Sequence, residues 1–282
     1  MKLFRSKSRE DSGAEMSFVE HLEELRSHLF KSAVAVLIGS VVVGIYSKFI
    51  FRHILMGPAH ADFPTYAILC KLSQHLGLGS KLCMDELTIK MQSNTVAGQF
   101  GVYFNVIIIG GFILAFPYVF YQFWKFFRPA LTKRELRSTR GVIFWVSFLF
   151  FLGVFFGYFV IAPYTVSFFS KFQVDETITN FWTISSYFGT LAPIILGAGL
   201  AFQLPLVLFF LAKAGIVSSA FLKRSRKYAI IIILVLCGII TPPDMLSQIV
   251  CSVPLILLYE VGLILTKRVE KREAKQEIAE WS

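Results

Sequence analysis

The carboxylates that could bind a cationic ligand are few and unevenly placed in this chain. Glu135 is the single acidic residue between Glu86 and Asp175, and six lysines and arginines surround it between positions 125 and 140. A carboxylate in such a loop can accept a guanidinium in a bidentate pair, a geometry that favours arginine over lysine. The alternative is a capping box in which Thr132 and Glu135 close the start of a helix.

A second candidate carboxylate, Glu24, lies in the segment His-Leu-Glu-Glu-Leu-Arg at positions 21–26. On a helix it shares a side with His28 and turns away from an apolar stripe at positions 22, 25 and 29. The pattern predicts an amphipathic helix on the inner membrane surface. Glu24 then either receives a cation or belongs to a solvated polar face.

A few polar residues interrupt the long apolar runs, where they are costly and therefore point to function. Glu260 stands near the end of the last run, and Asp244 follows a Pro-Pro pair. Gln203 and Gln248 could donate hydrogen bonds to a neighbouring helix or to a helix of a partner. For Asp244 the simpler alternative is that it caps the helix that follows.

Six apolar runs must position these residues, and most are long enough for a helix that crosses a hydrocarbon core of about 30 Å. The sequence therefore predicts an all-α polytopic membrane protein, with a concave bundle because five prolines lie inside the runs. The fifth run is short, which indicates either local thinning of the bilayer or a shallow packed hairpin. The predicted spans are about 29–51, 99–123, 141–170, 183–212, 228–241 and 245–265.

Lysine and arginine are concentrated in alternate gaps between the runs. Five lie in residues 1–28, six in 125–140, five in 213–227 and five from 267 onward, whereas the intervening gaps hold three, one and none. By the positive-inside rule both termini are cytoplasmic. The same asymmetry accounts for the net charge of +10 without a nucleic-acid partner.

The remaining segments lie outside the spans. Residues 1–16 read as a disordered basic tail, 17–266 as the membrane domain with an outer loop at 53–97, and 267–282 as a cytoplasmic charged tail. Cys70 and Cys83 share the outer loop, where they either form a disulfide or are two unrelated small side chains. Without a Walker loop, an H-E-x-x-H motif or a paired-cysteine metal motif, we expect no enzyme, no cofactor and no metal.

Several short motifs, taken together, resemble one family. They are the 21–26 segment, Pro58, Tyr-Gln-Phe-Trp at 121–124, Arg-Pro-Ala-Leu at 128–131 with Glu135, Phe-Gln-Leu-Pro at 202–205 and Thr-Pro-Pro-Asp at 241–244. Their order and spacing are similar to those of TatC, the receptor subunit of the twin-arginine protein translocase. The resemblance covers about Phe18 to Thr266.

The resemblance implies a glove-shaped receptor in the cytoplasmic (inner) membrane. It would bind twin-arginine signal peptides of folded cargo, recruit single-span subunits of the TatA and TatB type into an oligomeric complex, and use the proton-motive force. The implied signal-peptide residues are Glu24, Glu135, Arg26 and His21, the implied partner or intramembrane polar residues are Gln203, Asp244 and Glu260, and the structural prolines are Pro58, Pro129, Pro205, Pro242 and Pro243.

Two positions depart from the family pattern. Relatives often have Glu where Gln203 stands, and a basic residue where His28 stands. The competing interpretations are a secondary solute transporter, which usually has repeats and ionisable groups near the midplane, and a membrane-embedded structural scaffold.

Overall fold

A computed structural model of the chain describes residues 18–75, 91–127, 141–175, 177, 180–242 and 245–281. The predicted disordered tail at 1–16 lies outside these ranges. Six of the residues singled out from the sequence also lie outside the described residues, namely Cys83, Pro129, Thr132, Glu135, Pro243 and Asp244.

Helices make up nearly all of the described structure. Their bounds are α1 Phe18–Ile45, α2 Pro64–His75, α3 Gly98–Phe127, α4 Val142–Phe156, α5 Ala162–Lys171, α6 Ile184–Ala201, α7 Leu204–Lys213, α8 Ser219–Arg224, α9 Arg226–Ile240 and α10 Met245–Trp281. Two short strands, β1 Met91–Gln92 and β2 Trp182–Thr183, pair in parallel with Met91 opposite Trp182.

Five stretches of helix are long and apolar enough to cross a membrane. They are Leu22–Ile45, Gly98–Phe126, Val142–Lys171, Ile184–Lys213 and Ser247–Arg272. The sixth crossing is α9, whose 15 residues extend about 22 Å at 1.5 Å per residue. The protein is therefore an all-α polytopic membrane protein of six spans, with the short fifth span that the sequence predicts.

The helices pack in a few main pairs, which are α1 with α3, α4 with α6, and α7 and α9 with α10. Consecutive spans run in opposite directions, whereas α7 and α10, which belong to spans four and six, run in the same direction. We call the end of the bundle where α1 and α4 begin, and where α3 and α7 end, the basic end. The other end is the opposite end.

The amphipathic segment before the first span does not form a separate surface helix. Residues 18–45 make one continuous helix, and the predicted stripe of Leu22, Leu25 and Leu29 is exposed along its side. Since neither proline nor glycine occurs between Phe18 and Ile38, nothing in the backbone favours a bend at the membrane surface.

Two spans are interrupted near a proline. Span three contains a π-helical turn at Gly157–Ile161, directly before Pro163 near the start of α5. Span four is broken at positions 202–203, and Pro205 stands in the first turn of α7. Proline removes a backbone donor, so it is best tolerated where a helix begins. The other three prolines within spans lie inside continuous helices, at positions 117, 193 and 254.

Glycines allow span three to approach span four closely. A Cβ atom added at Gly153 would lie 2.5 Å from the Ala198 carbonyl oxygen and 2.9 Å from the Gly199 Cα. One added at Gly157 would lie 3.0 Å from the Ile194 oxygen. The two glycines in small-xxx-small spacing therefore mark a real helix–helix contact.

At the opposite end, tyrosine hydroxyls bind carbonyl groups where the chain leaves the first span. This exit consists of a helical turn Ser47–Phe49, a π-helical turn Ile50–Leu55 and a 3₁₀ turn Gly57–Ala59. Tyr187 donates to the Leu55 oxygen at 2.8 Å, and the Tyr66 hydroxyl lies 2.7 Å from the oxygen of buried Pro58. Burial raises the pKa of the Tyr66 phenol above its usual value.

The predicted tail at 267–282 begins as a continuation of the last span. Helix α10 runs for 37 residues to Trp281 without interruption. The segment beyond Thr266 is rich in Glu, Lys and Ala, which are strong helix formers. The charged tail is therefore largely helical.

Candidate functional site

An open groove of about 770 Å³ lies at the basic end, between the beginning of α1 and the end of α3. It combines two carboxylates with several cations and one aromatic ring. Its lining residues are Glu23, Glu24, Arg26, Ser27, His28, Phe30, Lys31 and Lys125.

Glu24 is the carboxylate of the groove that lies nearest to a buried polar pair. Its side chain is 33% exposed, and its Oε1 is 3.8 Å from Nε2 of His28, one helical turn further on. This distance is beyond a hydrogen bond. The carboxylate therefore remains available to a donor that enters the groove.

His28 connects α1 to α3. Its Nδ1 lies 2.7 Å from Oε1 of Gln122, and both residues are buried. The sequence analysis placed His28 on the same helix side as Glu24 but assigned it no contact, and Gln122 was noted within a motif without a role. The i to i+4 spacing of Glu24 and His28 was a usable signal, whereas a contact across 94 residues was not visible in the sequence.

Of the other implied signal-peptide residues, the structure describes the side chain of Arg26 but not those of His21 and Glu135. Arg26 lines the groove and is exposed. His21 lies in α1, but its side chain is outside the described residues, as is all of Glu135. The segment that contains Glu135 follows α3 shortly after Lys125, which also lines the groove.

Gln203 makes an internal hydrogen bond at the break between α6 and α7. Its Nε2 donates to the Val146 oxygen of α4 at 3.2 Å. Its Oε1 is buried and has no hydrogen-bond partner among the described residues. The amide is thus half satisfied, and whether it contacts a partner helix stays a prediction.

Glu260 forms an ion pair within the chain. Its Oε2 accepts from Arg226 at 2.6 Å, with side-chain exposures of 37% and 43%. Gln248, also on α10, donates to the Leu234 oxygen at 3.0 Å. Both contacts join α10 to α9, so they have a structural explanation.

A strap formed by α8 is held against α10 at the basic end. Glu270 accepts hydrogen bonds from both the backbone nitrogen and the hydroxyl of Ser219 at the first residue of α8. The Tyr259 hydroxyl donates to the Leu222 oxygen at 2.7 Å. Sequence patterns did not indicate this strap because the partners are 51 and 37 positions apart.

Within the described ranges, no three His, Cys, Asp or Glu side chains are grouped so that they could hold a metal ion. Cys70 is disulfide-bonded. Because Cys83 lies outside the described residues, the pairing of these two cysteines stays a prediction.

Comparison with known proteins decides the family. The family model described as "Sec-independent protein translocase protein (TatC)" matches residues 20–254. The chain belongs to the TatC family. It is 40% identical over 261 residues to the TatC protein of Blattabacterium, covering 92% of this chain and 98% of that one. It is also 32% identical over 266 residues to TatCy of Bacillus subtilis, covering 94% of each.

Solved TatC structures have the same architecture. One, described as the twin arginine translocase receptor TatC in DDM, matches with a TM-score of 0.69 and 30% identity over 88% of this chain and 99% of that chain. A second, also described as that receptor, has a TM-score of 0.65 and 28% identity over 89% and 100% of the two chains. The glove-like six-span fold is confirmed.

Membership in the TatC family establishes the general function. The protein is a multi-pass membrane component of Sec-independent protein translocation, and the family consists of translocase components rather than enzymes. The family assignment decides against the solute-transporter and scaffold alternatives.

Proposed function

We propose that this TatC-family protein is a receptor that binds twin-arginine signal peptides in the groove at the basic end. The observation that carries the proposal is Glu24, a partly exposed carboxylate in an open groove that has no ion pair within 3.5 Å among the described residues. Glu24 receives one arginine of the peptide and Glu135 the other, while His21 and Arg26 border the site. The solved relatives described as twin arginine translocase receptors support this assignment.

Two ion pairs alone would bind such a peptide weakly. An exposed pair contributes about 0 to 1 kcal/mol, and a pair that is partly desolvated contributes more. Phe30 lines the groove and is 71% exposed, so it offers apolar surface beside the carboxylate. Affinity therefore comes largely from the apolar part of the peptide, and the carboxylates supply the selection of arginine.

Crosslinking of a twin-arginine peptide to the membrane-embedded protein tests the site, with a twin-lysine peptide for comparison. Glu24→Gln and Glu135→Gln should each reduce crosslinking and export without lowering the amount of protein in the membrane. Asp62→Asn is a matched control because Asp62 is an exposed carboxylate at the opposite end. Normal discrimination between the two peptides in the Glu24→Gln/Glu135→Gln double variant would exclude this site.

The proposed orientation places the basic end in the cytoplasm of a bacterial inner membrane, with both termini inside. The concentration of lysine and arginine in alternate gaps supports it. Reporters fused after Thr132, Ser219 and Lys275 should report the cytoplasm, and reporters in the 62–79 segment the outside. An outside signal from the 125–140 segment would overturn the orientation and the peptide site together.

The bound receptor nucleates translocase assembly with single-span subunits, and the proton-motive force drives transport. Gln203 is the proposed partner contact, because a buried amide oxygen without a donor is costly in an apolar environment. Gln203→Leu should weaken copurification of the single-span subunits while peptide crosslinking is unchanged. Gln248→Leu is the control, since that amide already bonds within the chain. Unaltered copurification in Gln203→Leu would assign Gln203 to internal packing.

A further inference from the structure

The imidazole ring of the histidine beside Glu24 is oriented by a contact with α3. A glutamine side-chain oxygen can only accept a hydrogen bond, so Nδ1 of His28, 2.7 Å from Gln122 Oε1, carries the proton that it donates. In neutral His28 the Nε2 atom then has a lone pair and no hydrogen. That lone pair is 3.8 Å from Glu24 Oε1.

Neutral His28 and Glu24 thus form a pair of acceptors with no donor between them. Each could accept an N–H group from the same cation, and His28 lines the groove although its side chain is only 8% exposed. A guanidinium has five N–H donors on three nitrogens in one plane, whereas an ammonium has its donors on one nitrogen and is a compact point charge. The arrangement is therefore better matched to arginine than to lysine.

We propose that His28 is a specificity-determining residue of the Glu24 site. Its neutral Nε2 accepts a second N–H of the guanidinium that pairs with Glu24, and Gln122 is the positioning residue that keeps the lone pair directed at the site. The proposal rests on the proposed binding of a signal-peptide arginine at Glu24. Relatives often carry a basic side chain at the position of His28, and such a side chain could not accept this hydrogen bond.

The other charged groups of the groove are Glu23, Arg26 and Lys31 on α1 and Lys125 on α3.

The first variant removes the polar pair without leaving a buried group unpaired. In His28→Phe/Gln122→Leu both partners become apolar, which is less damaging than loss of one. Purified protein in nanodiscs is titrated with fluorescent twin-arginine and twin-lysine peptides. Twin-arginine affinity should fall about tenfold, as expected for one hydrogen bond to a charged group. Twin-lysine affinity should change less.

A second variant keeps the polar contact and changes its charge. Gln122→Glu places a carboxylate beside Nδ1, and a nearby negative charge favours the imidazolium, whose Nε2–H donates and cannot accept. Its twin-arginine affinity should therefore be lower than that of the wild type.

The outcomes separate this proposal from the proposed function. If Glu24→Gln lowers twin-arginine affinity but the two His28-site variants keep the wild-type arginine-to-lysine ratio, His28 is structural and the inference is wrong. If Glu24→Gln itself has no effect, the peptide site is wrong.

Discussion

Replacement of Gly153 by alanine should loosen the contact between α4 and α6. The added Cβ would lie 2.5 Å from the Ala198 oxygen and 2.8 Å from the Phe202 Cβ, whereas ordinary van der Waals contacts begin at 3.4 Å. The atoms that it meets include backbone, which cannot rotate away. The helices must therefore separate by about 0.9 Å at this point, and overpacking of this kind costs about 1–3 kcal/mol.

Two other glycines, both in α6, complete a graded series, one at the same interface and one outside it. A Cβ at Gly199 would meet ring and methyl carbons of Phe150 and Val154 at 2.9 Å, and these side chains can move. A Cβ at Gly189, also in α6, would meet nothing within 4 Å. The expected order of destabilisation is Gly153→Ala first, Gly199→Ala second, and no loss for Gly189→Ala, since alanine favours a helix over glycine.

Thermal unfolding in detergent, followed by size-exclusion chromatography, measures this order. For Gly153→Ala a loss of about 2 kcal/mol corresponds to a melting temperature about 4–8 °C lower. Equal melting temperatures for Gly153→Ala and Gly189→Ala would refute the close approach of α4 and α6 as the reason for glycine at position 153.

Two further predictions concern the strap and the cysteines. Glu270→Ala removes the acceptor of the Ser219 backbone and hydroxyl groups. Trypsin should then cleave α8 faster, because the loss of hydrogen bonds at a helix start costs about 1–2 kcal/mol. An unchanged cleavage rate would contradict the contact between α8 and α10. Alkylation without reductant should leave Cys70 and Cys83 unlabelled and linked in the mass spectrum, and reduction should lower stability by about 3 kcal/mol for a loop of this size. Labelling of Cys83 before reduction would contradict the pairing. Buried Cys237, a free thiol, should react only after unfolding.

The spans were predictable because each depends on the local sequence. Apolar runs of sufficient length form helices in a membrane whatever their neighbours are, since every backbone group must be bonded internally. The predicted bounds of spans two to four differ from the helices by a few residues at most. The short fifth span followed equally from its length.

Helix continuity was less predictable. The amphipathic segment before span one and the charged segment after span six both belong to longer continuous helices. Charge marks where a helix leaves the apolar core, but the helix ends only where a breaker or a cap stops its hydrogen bonds. Composition alone therefore does not show where these helices begin and end.

The amino-acid sequence by itself determined the six spans, the concentration of positive charge at one end and the position of Glu24 one turn from His28, because these depend on neighbours within a few residues. Only the tertiary structure decided that Gln122 binds His28, that Glu270 binds Ser219 of α8 and that Tyr187 binds the Leu55 carbonyl. Each of these contacts joins residues at least 51 positions apart. Their partners are selected by how the helices pack, and no local periodicity carries that information.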